Sequence, residues 1–175
     1  MLQSLHEWWC NSYLGLAVYG DQVSSITKSS TVLVISNHSS DLDTTLLSSS
    51  LASLGVTRTY VLAEPPSPST ATSLLKLDLG LGLYRTLPPT LGHCAADVDR
   101  GVDEIKRVVD ADASRCKAVL VYPEGVASRS EEALRPWRLS VGVLASRLQW
   151  PCVPICITGA HRALPPLFVA PLPGR

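Results

Sequence analysis

Short apolar runs rich in β-branched residues recur along the chain, and each ends in a polar or proline-containing turn. They lie at residues 32–35, 58–63, 118–122 and 153–158. Runs of this length between turn residues predict buried strands, because a strand covered on both faces needs no alternation of apolar and polar side chains.

Two segments between and after these runs have a different period. Residues 97–110 and 140–149 carry apolar side chains at helical spacing with polar or charged positions between them, which predicts amphipathic helices. Residues 65–73, rich in proline, serine and threonine, predict a loop. Strands that alternate with helices predict a single α/β domain with a mostly parallel central sheet and helices on both faces. In such sheets ligands bind at the carboxyl ends of the strands, so we expect the active site there.

Charge excludes one class of partner. Fifteen basic and fifteen acidic side chains cancel among 175 residues. No run of five or six like charges is present, so the sequence predicts no nucleic-acid partner.

The five cysteines are odd in number and scattered. This predicts reduced, buried thiols in a cytosol-facing protein. Cys152 and Cys156 stand four apart in a predicted strand, which favours core packing over zinc binding, and we expect no metal site.

The chain has no apolar run of 18 residues, which predicts no transmembrane helix, and its start lacks the features of a signal peptide. Residues 1–15 carry apolar and aromatic side chains typical of an interfacial helix. These are Leu2, Leu5, Trp8, Trp9, Tyr13 and Leu14, and Leu16 continues the pattern just beyond them. The alternative is a helix packed on the domain's own core.

Candidate chemistry follows the first predicted strand. His38 lies in a polar turn, and Asp43 follows five positions later. A neutral imidazole can accept a proton from a hydroxyl, and a carboxylate can fix its tautomer and stabilise the imidazolium. The alternative is that Asp43 pairs with Ser40 only to cap a helix.

A second polar turn follows the strand predicted at residues 118–122. Pro123 ends the strand, Gly125 permits close approach, and Glu124 and Arg129 supply a carboxylate and a cation. This combination favours a ligand with a hydroxyl or a phosphate. The alternative is a solvated loop in which Glu124 caps a helix.

Taken in order, these motifs resemble the glycerolipid (lysophospholipid and glycerol-phosphate) acyltransferase family. Residues 37–43 match its Asn-His-x-Ser-x-x-Asp signature, and residues 122–125 match its Phe-Pro-Glu-Gly element conservatively. Val153-Pro154-Ile155 followed by Gly159 is similar to its last block. Residues 18–20 and 58–63, read as strands, fit the usual order. The resemblance spans roughly residues 16–166.

The resemblance implies an O-acyltransferase that moves a fatty acyl group from an acyl thioester to a lysophospholipid or glycerol-phosphate acceptor. It implies no cofactor, with acyl-CoA or acyl carrier protein as co-substrate, and a peripheral position on the cytosolic face of a membrane. His38 would be the base and Asp43 its orienting group. The implied acceptor-binding residues are Glu124, Gly125, Arg85 and Arg129, with Asn37, Ser40, Pro123 and Pro154 in support.

Two departures from the family's motifs, and the point at which the chain ends, leave alternatives open. The family's block with an arginine after an apolar run is met only loosely by residues 80–85, and the alternative for Arg85 is a surface arginine after a buried strand. Val126-Ala127 stand where the family often has a Thr-Arg pair that holds the acceptor phosphate. A CoA-independent phospholipid transacylase and a catalytically silent lipid-binding or scaffold domain are therefore the alternative functions. The chain also stops soon after Pro165-Pro166, where the family usually continues. We expect an interfacial segment at 1–15 and an acyltransferase domain at 16–175 that is a fragment or a short variant.

Overall fold

The computed structural model describes residues 16–20, 31–63, 84–87, 95–125, 127–128 and 135–163. Strands and helices alternate through these residues. In chain order they are β1 (Thr31–Ser36), α1 (Asp43–Ser53), β2 (Arg58–Leu62), β3 (Arg85–Leu87), α2 (Ala95–Ala111), β4 (Lys117–Val121), α3 (Leu139–Leu148), β5 (Cys152–Ile155) and α4 (Ala160–Ala163).

The five strands form one parallel sheet in the order β3-β2-β4-β1-β5. The predicted α/β class is confirmed. β1 and β4, far apart in sequence, are direct neighbours, with Leu33 opposite Val119 and Ile35 opposite Val121. Because parallel neighbours end at the same edge, the turn after β1 and the turn after β4 lie side by side.

Side chains along the central strands alternate between two apolar clusters, as the pleat of a strand requires. On one face, Val34 and Leu120 pack with Leu47 and Leu51 of α1. On the other, Leu33, Val119 and Val121 pack with residues of α2 and α3. Helices therefore cover both faces, as predicted, and hold the strand ends that carry the polar turns.

Most predicted elements agree with the structure to within one or two residues. The strand predicted at 153–158 is shorter and ends at Ile155. Its ladder stops there because its partner β1 ends at Ser36, which lies opposite Ile155. Pro154 lacks an N–H but can occupy β5, an edge strand of this sheet.

Two sequence predictions are wrong. Residues 18–20 are irregular and not a strand, and Tyr19 is 91% exposed. Cys152 and Cys156 are exposed rather than packed in the core, whereas Cys116 is buried. β5 contributes mainly Val153 to the core, because it pairs with β1 alone and Cys156 lies beyond its end.

Several predictions concern residues outside the described ranges. They include the interfacial helix at residues 1–15, the loop at residues 65–73, and Arg129. Within the described part of the chain, no helix is long and apolar enough to cross a membrane.

Candidate active site

The turn between β1 and α1 brings His38 and Asp43 together. Asp43 is the first residue of α1, and its side chain reaches back over the turn. Its Oδ2 lies 3.0 Å from Nδ1 of His38 and also accepts hydrogen bonds from the backbone N–H groups of Ser39 and Ser40. The side chain of Asp43 is fully buried, whereas that of His38 is 17% exposed.

This arrangement assigns the imidazole tautomer. Oδ2 of Asp43 already faces two backbone donors, so the contact with His38 requires Nδ1 to carry its proton and donate it. Nε2 is then the nitrogen with a free lone pair. A histidine in this tautomer can accept a proton from a hydroxyl, while the carboxylate stabilises the imidazolium that forms.

Helix capping alone does not describe Asp43. The N-cap residue of α1 is Leu42, and no side chain caps it. The hydrogen bond from the N–H of Ser40 to Asp43 is the kind that a capping box makes, but the contacts of Asp43 with Nδ1 of His38 and the N–H of Ser39 go beyond it. Ser40 supports this turn through its hydroxyl, which accepts a hydrogen bond of 3.3 Å from the N–H of Leu42.

Tyr122, directly after β4, covers the face of the imidazole. The rings of His38 and Tyr122 stack with centroids 4.1 Å apart and planes 16° apart. The Tyr122 hydroxyl lies 3.0 Å from Oγ1 of Thr44 on α1. Burial, with a smaller contribution from the Asp43 carboxylate, raises the pKa of Tyr122 well above its ordinary value, so the phenol stays neutral.

Glu124 is buried and its carboxylate bridges two backbone segments. Oε1 accepts the N–H of His38 at 3.0 Å, and Oε2 accepts the N–H of Arg135 at 3.1 Å. The carbonyl of His38 accepts the N–H of Ser128 at 2.7 Å. Both backbone polar groups of His38 are thus bound by the turn after β4. This geometry favours a positioning role for Glu124 over the acceptor contact or the helix cap considered from the sequence.

Asn37 ties the same turn to the chain beyond β5. Its Nδ2 donates to the carbonyl of Ile157 at 2.9 Å, and its Oδ1 accepts the N–H of Ile157 at 2.8 Å. The side-chain amide thus replaces a pair of backbone partners where the ladder between β1 and β5 has ended. Asn37 supports the turn, and Pro154 lies in β5 opposite Ile35.

Gly125 closes a tight turn after β4. Its N–H donates to the carbonyl of Tyr122 at 3.0 Å, and its φ of +76° lies in the left-handed region that favours glycine. The carbonyl of Pro123 accepts the N–H of Arg138 at 3.0 Å, which fixes the start of α3 beside this turn. Arg138 therefore joins the neighbourhood of His38, although the sequence motifs do not include it.

Arg85 lies elsewhere. It begins β3 and is exposed, and its charge acts on the hydroxyl of Tyr60 in β2. Three strand steps separate β3 from β1, about 14 Å at ordinary strand spacing. The structure does not bring Arg85 together with His38 and Asp43, and its acceptor contact stays a prediction. Arg129 is outside the described residues.

The sequence motifs predict neither the place of Arg138 beside this turn nor the contact between Tyr122 and Thr44. The aromatic residue before Pro123 was a signal that a ring follows β4, but pairing with Thr44 depends on how α1 crosses the sheet. Among the described residues, no group of three or more histidine, cysteine, aspartate or glutamate side chains could hold a metal ion.

Comparison with known proteins identifies the family. The model of the family described as Acyltransferase matches residues 17–158, which include both turns of the site. Searches of the curated proteins and of the solved structures found no match. Because the family model covers well over half of the 175 residues, this chain belongs to the acyltransferase family.

Proposed function

We propose that this protein is an O-acyltransferase that moves a fatty acyl group from an acyl thioester to a hydroxyl of a lysophospholipid or glycerol-phosphate acceptor. The observation that carries the proposal is the contact between Nδ1 of His38 and the buried Asp43, 3.0 Å long, at the carboxyl end of the sheet. It leaves Nε2 as the basic nitrogen of a partly exposed ring.

The reaction needs one proton transfer in each direction. Nε2 of His38 takes the proton of the acceptor hydroxyl while that oxygen attacks the thioester carbonyl carbon. The tetrahedral intermediate collapses as the carbon–sulfur bond breaks, and the imidazolium returns the proton to the leaving thiolate. The products are an ester and a free thiol, and no covalent enzyme intermediate forms. General base catalysis of this kind contributes about 10²–10⁴ to the rate.

The surroundings of His38 support this assignment because they fix the ring before substrate binds. Asp43 holds one edge, Tyr122 covers one face, and Glu124 and Ser128 bind the backbone on both sides of the side chain. A base held in one orientation loses little freedom on reaching the transition state, which lowers the entropic part of the barrier.

We also propose that the protein works at a membrane surface, because its acyl donor and a lysophospholipid acceptor carry acyl chains that partition into bilayers. Three apolar side chains near the start of α3 support this: Trp137, Leu139 and Val143 are exposed, and Leu139 is 90% exposed. They flank Arg138, which is bound to the turn after β4. Apolar contact of this kind strengthens binding to the interfacial region of a bilayer.

An acyl-transfer assay tests the proposed function. Purified protein is given radiolabelled acyl-CoA with a panel of lysolipids, and in parallel a labelled phospholipid with the same lysolipids. The proposal predicts labelled diacyl product from acyl-CoA. Product from the phospholipid donor alone identifies the transacylase alternative. If neither donor gives product above the His38→Ala background, the silent-domain alternative replaces the proposal.

A further inference from the structure

A guanidinium lies directly over the glycine of the turn after β4. A Cβ built on Gly125 would lie 2.6 Å from Cζ and Nε of Arg138 and 2.7 Å from its Nη2. Three guanidinium atoms at nearly equal distance mean that the planar group faces the backbone of Gly125. The missing side chain of Gly125 thus makes room for the cation.

The backbone fixes where this arginine begins. The N–H of Arg138 donates to the carbonyl of Pro123, so its Cα is bound to the turn that Gly125 closes. Glu124, between these two residues, accepts the N–H of His38. Arg138 and the proposed base are therefore held by the same turn, through contacts that involve only backbone and buried groups.

In the described part of the chain, no carboxylate forms an ion pair with the guanidinium of Arg138. Four of the other described arginines do have such partners: Arg58 with Asp112, Arg100 with Asp97, Arg107 with Glu104 and Arg147 with Asp99. The nearby Glu124 directs both carboxylate oxygens to backbone amides. Arg138 is exposed, so an anion from solvent can reach its guanidinium.

We infer that Arg138 binds the phosphate of the acceptor, an inference that rests on the proposed function. Guanidinium groups bind phosphate with paired, charge-assisted hydrogen bonds, which fix orientation as well as position. A phosphate held at Arg138 would direct the neighbouring glycerol hydroxyl toward His38. The residues directly after Gly125, Val126 and Ala127, offer no cation for this purpose.

Substitution of Arg138 tests the inference with an acceptor pair that differs only in phosphate. Arg138→Ala should raise the KM for a lysophosphatidate about tenfold or more, the loss expected for charge-assisted hydrogen bonds. The KM for the monoacylglycerol of the same chain length should stay within about twofold. Arg138→Lys should recover part of the loss. Arg147→Ala, which removes an exposed arginine at the other end of α3, is the matched control.

Gly125→Ala gives a second, independent perturbation. The new Cβ would displace the guanidinium, and the φ of +76° disfavours any residue with a Cβ. If this variant folds, it should raise the KM for the lysophosphatidate in the same way as Arg138→Ala. Equal KM changes for both acceptors, or no change with Arg138→Ala, would overturn the inference.

Calorimetry separates this inference from the proposed function. Glycerol 3-phosphate is titrated into wild-type protein, Arg138→Ala and Arg147→Ala without any acyl donor. Binding that is lost in Arg138→Ala and kept in Arg147→Ala supports the phosphate site, even if no acyl transfer is found. Binding that is absent in the wild type, or unchanged in Arg138→Ala, rejects the site while leaving an observed acyl transfer in place.

Discussion

The two ends of the sheet each carry a polar network, and the networks differ in whether they surround a partly exposed histidine ring. At the carboxyl end, Asp43, Tyr122 and Glu124 surround His38, whose ring is partly exposed. At the amino end, Asp112 contacts residues of α2, β2 and β4. None of these partners is a base with a nitrogen left open to solvent.

The contacts of Asp112 are structural. It accepts the N–H of Ser114 at 2.7 Å and the hydroxyl of Tyr60 at 2.6 Å, and Nε of Arg58 lies 3.4 Å away. These hydrogen bonds, those from Ser114 first, hold the pKa of Asp112 well below its usual range. Nζ of the buried Lys117 donates to the carbonyls of Val109 and Asp112, where α2 ends.

Under the proposed function, this difference separates the network that takes part in the reaction from the one that only stabilises the fold. At the amino end, the ammonium and carboxylate groups bind backbone and side-chain partners and tie α2 to the sheet. At the carboxyl end, the partners of His38 use Nδ1, one ring face and the backbone, so Nε2 remains available. Substitutions at the carboxyl end should therefore reduce turnover, and those at the amino end should reduce stability.

Among the substitutions that leave His38 in place, Asp43→Asn should reduce turnover the most. An amide can present its NH₂ to Nδ1 and so favour the wrong tautomer, as the loss of the orienting carboxylate does in serine protease triads. We expect kcat to fall about 10²-fold or more, with KM little changed. Initial rates over a range of acceptor concentrations measure both constants. Turnover within twofold of the wild type would remove Asp43 from the mechanism.

Glu124→Gln should have a smaller effect, and on kcat more than on KM. Glutamine has one acceptor oxygen for two backbone donors, so it can keep either the amide of His38 or that of Arg135. We expect kcat to fall about tenfold because the turn is held less firmly. A rise in acceptor KM with kcat unchanged would instead support the acceptor contact expected from the sequence.

Tyr60→Phe should leave transfer unchanged and lower stability by about 1 kcal/mol, the usual contribution of one hydrogen bond. The corresponding fall in Tm is about 2–4 °C for a domain of this size. Thermal unfolding followed by circular dichroism measures it, with transfer rates recorded on the same samples. A tenfold loss of activity would contradict the separation between the two ends.

The same substitution carries a pH dependence with a definite sign. Burial, followed by the hydrogen bond to Asp112, raises the pKa of Tyr60 from its ordinary 10.0 to about 12. The folded state therefore keeps the phenol proton longer than the unfolded state. This contribution to stability is complete below pH 10 and is lost as the pH rises to about 12. In Tyr60→Phe, the alkaline loss of stability between these values should be smaller.

The fold was accessible from the sequence because its strands are continuous apolar runs and its helices α2 and α3 are amphipathic. The pair His38 and Asp43 was also accessible, since both lie in one turn and their contact is local. The contact of Glu124 with the backbone of His38 could not be predicted from the sequence. It exists only because β1 and β4 are neighbours, which brings together residues 86 positions apart. Arg138 was missed for the same reason: its contact with Gly125 exists only once α3 is packed.

Residues 18–20 and the two cysteines of the β5 region are positions at which the sequence-based prediction was wrong. The order of the family's motifs indicated a strand at Val18, and apolar neighbours indicated burial for Cys152, but both side chains are exposed. Amino-acid composition does not predict which strand lies at an edge of the sheet. The edge position of β5 decides whether a side chain such as that of Cys152 is covered.

The most direct test of the proposed base compares His38→Ala with Tyr60→Phe in transfer from acyl-CoA to a lysolipid that the wild type accepts. If His38 is the base, His38→Ala should lose at least about 10²-fold in kcat/KM. Its Tm should stay near that of the wild type, because the ring lies at a partly exposed turn. Tyr60→Phe should show the reverse, with full activity and a lower Tm. Near-wild-type transfer by a folded His38→Ala would contradict the proposal that His38 is the base.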